Sequence, residues 1–330
     1  MFSDYDDLSV ISNDLSDRSG PTLIAIVRNE MYMLPAFLAH YRALGIARFI
    51  FLDDQSDDDT RAYLARQPDA MVLESPVRYG QVIAPQGRIP LPDMRSNIVW
   101  RNVLMGRYGR DRWTLLLDVD EFLALPQGMT IPDLIARAEA DGRRAVTGIM
   151  LDLYPENIAD LATYRPFDPE MGWYFDGQPH LRLREGGAIS TLYPGARARL
   201  AVRYGLHRIG LRNRVRNLVR APWYPGVNLN EKAVLHCWGE SDLFLNAHKT
   251  TALASGRLLL PIKHYKFTTD LYRKVEMALA EQRYAGGSVE YRLVEALLQR
   301  MTARGGGFRY SLSRAAEGFE PFAATGNAQL

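Results

Sequence analysis

The sequence predicts an α/β fold with a doubly wound, mostly parallel sheet and helices on both faces. Short apolar runs, typical of strands buried on both faces, alternate with segments of helical spacing as far as residue 152. Three of these runs end in polar or acidic residues, which is where parallel α/β sheets bind their ligands. Beyond residue 152 the alternation weakens, which predicts a loop-rich C-terminal region.

The strands are predicted from apolar runs of four to eight residues. The run Trp113–Asp118 is the clearest, because five apolar or β-prone residues precede an abrupt change to acids. The full set of predicted strands comprises residues 22–27, 47–52, 70–74, 113–118 and 145–152.

The helices are predicted from apolar spacing and from their terminal residues. Pro35 lies near the first turn of the helix predicted at 33–44, and Gly45 ends it. Ser56 or Asp57 is expected to cap a helix at about 58–66, and Thr130 one at 130–141. The remaining predicted helices are 93–108, 269–282 and 288–304.

The predicted organisation has four consecutive segments. Residues 1–20 are polar and aperiodic and are expected to form a loose arm, and 21–152 form the α/β domain. Residues 153–268 would complete that domain with short strands at most, and 261–265 are predicted to be a strand or a loop. Residues 269–330 would supply the last helices and a tail.

The composition limits the classes of function. The 330 residues carry a net charge of +2, so no overall field favours nucleic acid as a partner. A single cysteine favours a reducing compartment, and the acidic N-terminus does not resemble a signal peptide. We expect a cytoplasmic protein, with peripheral contact to the inner face of a membrane through the Arg-rich stretch 182–220 as an alternative to a solvated face there.

The most informative motif is Asp118-Val119-Asp120-Glu121, which follows the strand predicted at 113–118. Side chains two apart in an extended segment point the same way, so Asp118 and Asp120 are expected to converge on one cation. Oxygen-rich acids suit Mn²⁺ or Mg²⁺, and a nucleotide diphosphate with water would complete the coordination. The alternative is a surface turn or an acidic cap of the next helix.

Polar residues also follow the first two predicted strands and would lie at the same edge of the sheet. Asp53 or Asp54 is expected to accept hydrogen bonds from a ribose or a base, and Arg28 to pair with phosphate. The acids 57–59 are better explained as helix capping. The predicted nucleotide-binding residues at this edge are Val27, Arg28, Asn29, Glu30, Asp53, Asp54 and Ser56.

Other candidates are weaker. His264 is a possible metal ligand, although a lone histidine is more often a core or surface residue. The sequence lacks a Cys-x-x-Cys pair, a P-loop and a Gly-x-Gly-x-x-Gly fingerprint, which argues against structural zinc, P-loop NTPases and dinucleotide enzymes.

With these residues taken together, the chain resembles a bacterial family 2 glycosyltransferase of the subgroup with a DVDEF metal motif, similar to glycosyltransferase family 92. The resemblance covers residues 21–125 well and returns at His236 and at 262–274. The segments that match the family are Ile26–Glu30, Leu52–Thr60, Trp113–Phe122 and Ile262–Phe267. Arg95 and Asn97 loosely resemble residues of the helix that precedes the metal motif.

This resemblance implies a GT-A fold, a nucleotide-sugar donor, with UDP-sugar the simplest guess, and Mn²⁺ or Mg²⁺ as cofactor. It implies that Asp118 contacts the ribose or a metal-bound water, that Asp120 ligates the metal, and that His264 lies near the diphosphate or on the metal. The resemblance also implies transfer with inversion at the anomeric carbon, a saccharide or lipid-linked acceptor, and a role in surface polysaccharide synthesis.

The catalytic base has no clear counterpart in the sequence. Asp120, Glu121 and Glu240 are the predicted catalytic residues, and Glu121 is alternatively a brace for the metal site. The acids considered as base are Glu121, Asp152, Glu156, Glu240 and Asp242. The alternatives for the whole protein are a haloacid-dehalogenase-like phosphatase, a nucleotide-sugar pyrophosphorylase and a catalytically silent sugar-binding protein.

Overall fold

The computed structural model describes residues 7–83, 94–184, 189–207, 230–282 and 285–330. The chain forms two compact units that interleave along the sequence. The first unit comprises Met1–Val119, Gly128–Thr147 and Lys232–Ser255, and the second comprises Asp120–Gln127, Gly148–Glu231 and Gly256–Leu330. The prediction, by contrast, divides the chain into consecutive segments.

The described strands number thirteen, and nine of them form one sheet in the order β1-β4-β3-β2-β5-β11-β7-β12-β6. The pairs β9 with β10 and β8 with β13 form two small sheets. The strands are β1 Ser9–Ser12, β2 Thr22–Val27, β3 Arg48–Asp53, β4 Ala70–Glu74, β5 Trp113–Leu116, β6 Glu121–Leu123, β7 Ala145–Asp152, β8 Tyr174–Asp176, β9 Leu181–Leu183, β10 Ile189–Thr191, β11 Glu231–Cys237, β12 Ala254–His264 and β13 Ser313–Ala315.

The parallel strands of the first unit confirm the predicted α/β class. β2 pairs in parallel with β3 on one side and with β5 on the other, and β3 continues in parallel to β4. The chain therefore winds outwards from β2 in both directions, as in doubly wound folds. The sheet as a whole is mixed, because β1 runs antiparallel to β4, β11 to β5, and β6 to β12.

Six helices agree closely with their predicted positions, and α5 and α8 were not predicted. The expected cap of α2 by Ser56 or Asp57 is wrong, because α2 begins at Thr60, whose N–H donates to Asp58 Oδ1 at 2.9 Å. α4 carries the expected cap, because the Thr130 side chain accepts from the Asp133 N–H while Asp133 accepts from the Thr130 N–H. The described helices are α1 Leu34–Ala43, α2 Thr60–Ala65, α3 Ser96–Tyr108, α4 Ile131–Ala140, α5 Ala196–Arg203, α6 Leu271–Glu281, α7 Ala285–Ala303 and α8 Glu320–Ala324.

The predicted loose arm needs correction at residues 9–12, which form β1 on the edge of β4. The physical reason is that an open sheet edge offers unpaired backbone groups, and the arm satisfies them while burying Leu8. The elements β6, β11, α5 and α8 were not predicted from the sequence, and β12 begins seven residues before the strand predicted at 261–265.

Each unit has its own apolar core. In the first unit, α3 buries Trp100 and Val103 against strand residues such as Ile24 and Leu116. In the second unit, α5, α6 and α7 pack with Tyr154 and Phe267. None of the helices in the described part of the chain is long and apolar enough to span a membrane.

Candidate functional site

The first unit has its topological switch point at β2, because β3 and β5 lie on opposite sides of that strand. In open α/β sheets the crevice at such a point, outside the carboxyl ends of the strands, is the usual place for a ligand. Arg28 follows β2 and Asp118 follows β5, so both predicted site residues lie beyond these carboxyl ends.

The loop after β2 is tied to the loop after β3. Arg28 Nη1 donates to the carbonyl oxygens of Asp54 at 2.8 Å and Gln55 at 3.1 Å, and the Asn29 N–H donates to Ser56 Oγ at 3.0 Å. Asn29 adopts a left-handed φ of 54°, which asparagine tolerates better than most residues. The Glu30 N–H donates to Thr60 Oγ1 at 2.8 Å. These bonds hold the loop after β2 against the loop after β3.

Asp53 and Asp54 are both buried and both brace the backbone. Asp53 accepts from the Ser56 N–H and from Arg61 Nη2 at 2.9 Å, and Asp54 Oδ1 accepts from the Tyr79 N–H at 2.9 Å. In the structure, both carboxylates therefore stabilise the conformation of the loops that follow the strands. Their contact with a nucleoside remains a prediction.

Asp118 is held between two buried cations. Its Oδ1 accepts from Arg101 Nη2 at 3.3 Å and its Oδ2 from Lys232 Nζ at 3.1 Å. The cationic side chains are 3% and 2% exposed, whereas the Asp118 side chain is 42% exposed. The site thus presents to solvent a carboxylate that is fixed in place and already charge-compensated.

The register of β11 explains the position of Lys232 and also that of Glu240. Leu235 lies opposite Leu115 and Cys237 opposite Trp113, so β11 begins near Asp118 and runs towards the start of β5. Glu240 follows the far end of β11, is 88% exposed and lies 4.0 Å from Arg110. Glu240 therefore follows the end of β11 that is opposite to Lys232, and its catalytic role remains a prediction.

Two further predicted residues lie at the start of α3. Arg95 is the residue before the helix, and the Asn97 carbonyl accepts from Arg101 Nη1 at 2.9 Å. Asn97 therefore helps to orient the arginine that holds Asp118. Asn97 Oδ1 is buried and has no hydrogen-bond partner among the described residues.

In the second unit, the pairing of β6 with β12 positions Asp120 beside His264. Glu121 lies directly opposite His264, and the Tyr265 N–H donates to the Asp120 carbonyl at 2.8 Å. Opposite residues on paired strands project from the same face, so Glu121 and His264 are neighbours. His264 Nε2 lies 3.5 Å from Asp120 Oδ2.

His264 is fixed on its other side by Asp152, the last residue of β7. His264 Nδ1 lies 2.7 Å from Asp152 Oδ1, and both side chains are buried. Burial opposes a charge on the imidazole, but Asp120 and Asp152 outweigh it and raise the pKa of His264 to about 9. Burial likewise favours a neutral Asp120, yet the charge of His264, followed by Lys274 and Lys266, holds the pKa of Asp120 well below its ordinary value.

The chain of charges continues beyond Asp152. Arg197 of α5 donates from Nε to Asp152 Oδ2 at 2.8 Å and contacts Glu290 of α7 through Nη1. Lys266 Nζ lies 3.5 Å from Glu290 Oε1. Lys266, against the opposing effect of burial and together with Arg197, lowers the pKa of Glu290 to about 2.

The side chains of His264 and Asp120 carry atoms that can coordinate a divalent cation. A metal-binding histidine typically directs one ring nitrogen to a carboxylate and the other to the metal, as Asp152 and Asp120 are arranged here. In the described residues no group of three or more His, Cys, Asp or Glu side chains is arranged to hold a metal ion. Two protein ligands fit Mg²⁺ or Mn²⁺, which commonly complete their coordination with waters and substrate phosphates.

Asp118 fits a metal less well than Asp120 does. Both of its oxygens face cationic nitrogens, at 3.3 Å and 3.1 Å, and those charges oppose the approach of a further cation. We therefore separate the two aspartates of the motif and keep only Asp120 and His264 as candidate ligands.

Arg101, Lys232 and Glu290 carry no local motif, and each reaches its carboxylate or cation from a distant part of the chain. Arg197 belongs to the Arg-rich stretch 182–220, for which the sequence predicts a solvated face or a membrane contact. The structure instead buries its side chain against Asp152. Of the predicted Arg-rich stretch, Arg208, Arg212, Arg214, Arg216 and Arg220 lie outside the described residues.

Comparison with known proteins does not assign the chain to a family. No protein-family model matches the chain, and no curated protein matches its sequence. Among solved structures, it is similar to a UTP-bound UGPase from Acinetobacter baumannii, with 10% identity over 93% of this chain and 92% of that chain and a TM-score of 0.29. A TM-score this low carries no argument about function, so the family resemblance remains a prediction.

Proposed function

We propose that the protein is a metal-dependent glycosyltransferase that moves a sugar from a nucleotide-sugar donor to a saccharide or lipid-linked acceptor. The observation that carries this proposal is the arrangement of Asp120, His264 and Asp152 at the DVDEF motif. A carboxylate and an oriented imidazole at this motif support the cation that the sequence resemblance implies.

In the first unit, the fixed carboxylate of Asp118 would accept a hydrogen bond from the nucleoside. A carboxylate compensated by Arg101 and Lys232 suits neutral donors such as ribose hydroxyls better than a cation. In the second unit, Asp120 and His264 would hold Mn²⁺ or Mg²⁺.

When bound, the metal would neutralise the charge that grows on the departing diphosphate. The charges of Lys274 and Lys266 both lower the pKa of Asp120, so the second unit adds positive charge around this carboxylate. Positive groups that are already in place stabilise a developing anion, because they need no rearrangement at the moment of reaction.

The acceptor hydroxyl must lose a proton to a base in an inverting reaction. Asp152 does not fit this role, because it is buried and both of its oxygens are engaged by His264 and Arg197. Glu121 is also buried, and its position opposite His264 supports a bracing role. We therefore assign no residue as the base.

Thermal denaturation with nucleoside diphosphates and metals tests the proposal. A ligand that binds only the folded protein raises its melting temperature. We expect UDP with Mn²⁺ to raise it more than either alone, and UDP-sugars to release UDP only when the metal is present. The proposal fails if no nucleoside diphosphate with Mn²⁺ or Mg²⁺ has an effect. Metal-dependent release of phosphate from a simple phosphomonoester would favour the phosphatase alternative.

A further inference from the structure

Helix α5 carries two arginines, each of which forms an ion pair with a different aspartate. Arg197 pairs with Asp152, and Arg199, two residues later, donates from two nitrogens to Asp176 at 2.8 and 2.9 Å. Residues two apart on a helix do not face each other, so the two pairs lie on different sides of α5. Both arginines are largely buried, with side chains 12% and 10% exposed.

The Arg199 pair belongs to the internal framework of the second unit. Asp176 also accepts from Tyr154 Oη at 2.6 Å and Tyr193 Oη at 2.7 Å, and the Arg199 guanidinium stacks 4.2 Å from the Tyr310 ring. These contacts join strands and helices of the unit. In the described residues they do not include Asp120 or His264.

The Arg197 pair, in contrast, leads directly to the candidate metal ligand. Asp152 shares its two oxygens between Arg197 Nε at 2.8 Å and His264 Nδ1 at 2.7 Å. Glu290 contacts the other end of the same guanidinium. The Asp152 carboxylate is therefore held between two donors, and its orientation determines the orientation of the imidazole ring.

We propose that Arg197 is a positioning residue, which fixes Asp152 so that the His264 ring keeps Nε2 directed at the cation held with Asp120. This inference rests on the proposed function, because it assumes that the cation binds there. It extends that function to α5 and α7, whose residues Arg197 and Glu290 would govern metal affinity without touching the metal. Partners of this kind typically change metal affinity by about 10- to 100-fold when they are removed.

The experiment is a Mn²⁺ titration of the full-length protein, with free Mn²⁺ followed by electron paramagnetic resonance. We expect Arg197→Met to raise the Kd for Mn²⁺ about tenfold, and Arg197→Lys to recover most of the affinity because it keeps a cation at Asp152. Arg199→Met is the matched control, since it removes a buried arginine from the same helix. It should lower stability but change the Kd less than twofold.

The outcomes separate the two proposals. If Asp120→Asn abolishes Mn²⁺ binding while Arg197→Met leaves it unchanged, the positioning role is wrong and the proposed function stands. If Arg199→Met weakens binding as much as Arg197→Met, the effect is general loosening and the positioning role is again wrong. If the wild-type protein binds no Mn²⁺ even in the presence of UDP, both proposals fail. Should Arg197→Met not fold, Glu290→Gln replaces it, and an unchanged Kd there would also overturn the inference.

Discussion

Replacing Asp118 with Asn should destabilise the first unit, whatever its effect on activity. The change removes the carboxylate that lies 3.3 Å from Arg101 and 3.1 Å from Lys232. The two cationic side chains, which are only 3% and 2% exposed, lose their negative partner. Removing one partner of a fully buried ion pair costs about 3–5 kcal/mol. Because the Asp118 side chain is 42% exposed, water compensates part of the loss, and we expect about 2–3 kcal/mol.

Urea unfolding followed by circular dichroism measures this cost, and a double variant isolates its cause. The double variant Asp118→Asn/Lys232→Met also removes one of the two buried positive charges. We expect it to recover about half of the unfolding free energy that Asp118→Asn alone loses. The reasoning is refuted if Asp118→Asn costs less than about 0.5 kcal/mol, or if the two substitutions simply add. The result also shows how much of any lost activity in Asp118→Asn reflects folding.

Two further predictions concern stability. Burial lowers the pKa of His236 to about 4, so between pH 6.5 and 4 the unfolded chain binds a proton at this residue and the folded protein does not. The free energy of unfolding should therefore fall by about 3 kcal/mol as the pH drops from 6.5 towards 4. Urea unfolding at several pH values measures this slope, and His236→Gln should reduce it. Thr130→Ala removes the capping box of α4 and should cost about 1 kcal/mol of unfolding free energy, whereas Thr130→Ser should cost little; equal losses in the two variants would contradict the capping role.

Local patterns were sufficient to predict most of the first unit. β2 has the predicted bounds Thr22–Val27, because an unbroken apolar run between polar segments has few alternatives to a buried strand. The cap at Thr130 is likewise a matter of three neighbouring residues. The abrupt change from leucines to acids at Asp118 marked the end of β5 and the candidate site together.

The partners of the site residues could not be predicted, because they are brought together by the fold. Asp152 and His264 are separated by 112 residues, Asp118 and Lys232 by 114, and Asp152 and Arg197 by 45. A lysine inside an apolar strand gives no local sign that it faces a carboxylate. The same limit explains the expectation that both aspartates share one cation, since only the contacts of Asp118 reveal that it is already compensated.

The central claim is that Asp120 and His264 bind the divalent cation and that Asp118 does not. Calorimetric titration of Mn²⁺ into Asp120→Asn, His264→Ala and Asp118→Asn, each verified as folded, tests it most directly. We expect at least a tenfold loss of affinity in the first two variants and a small change in the third. Full affinity in Asp120→Asn together with lost binding in Asp118→Asn would contradict it.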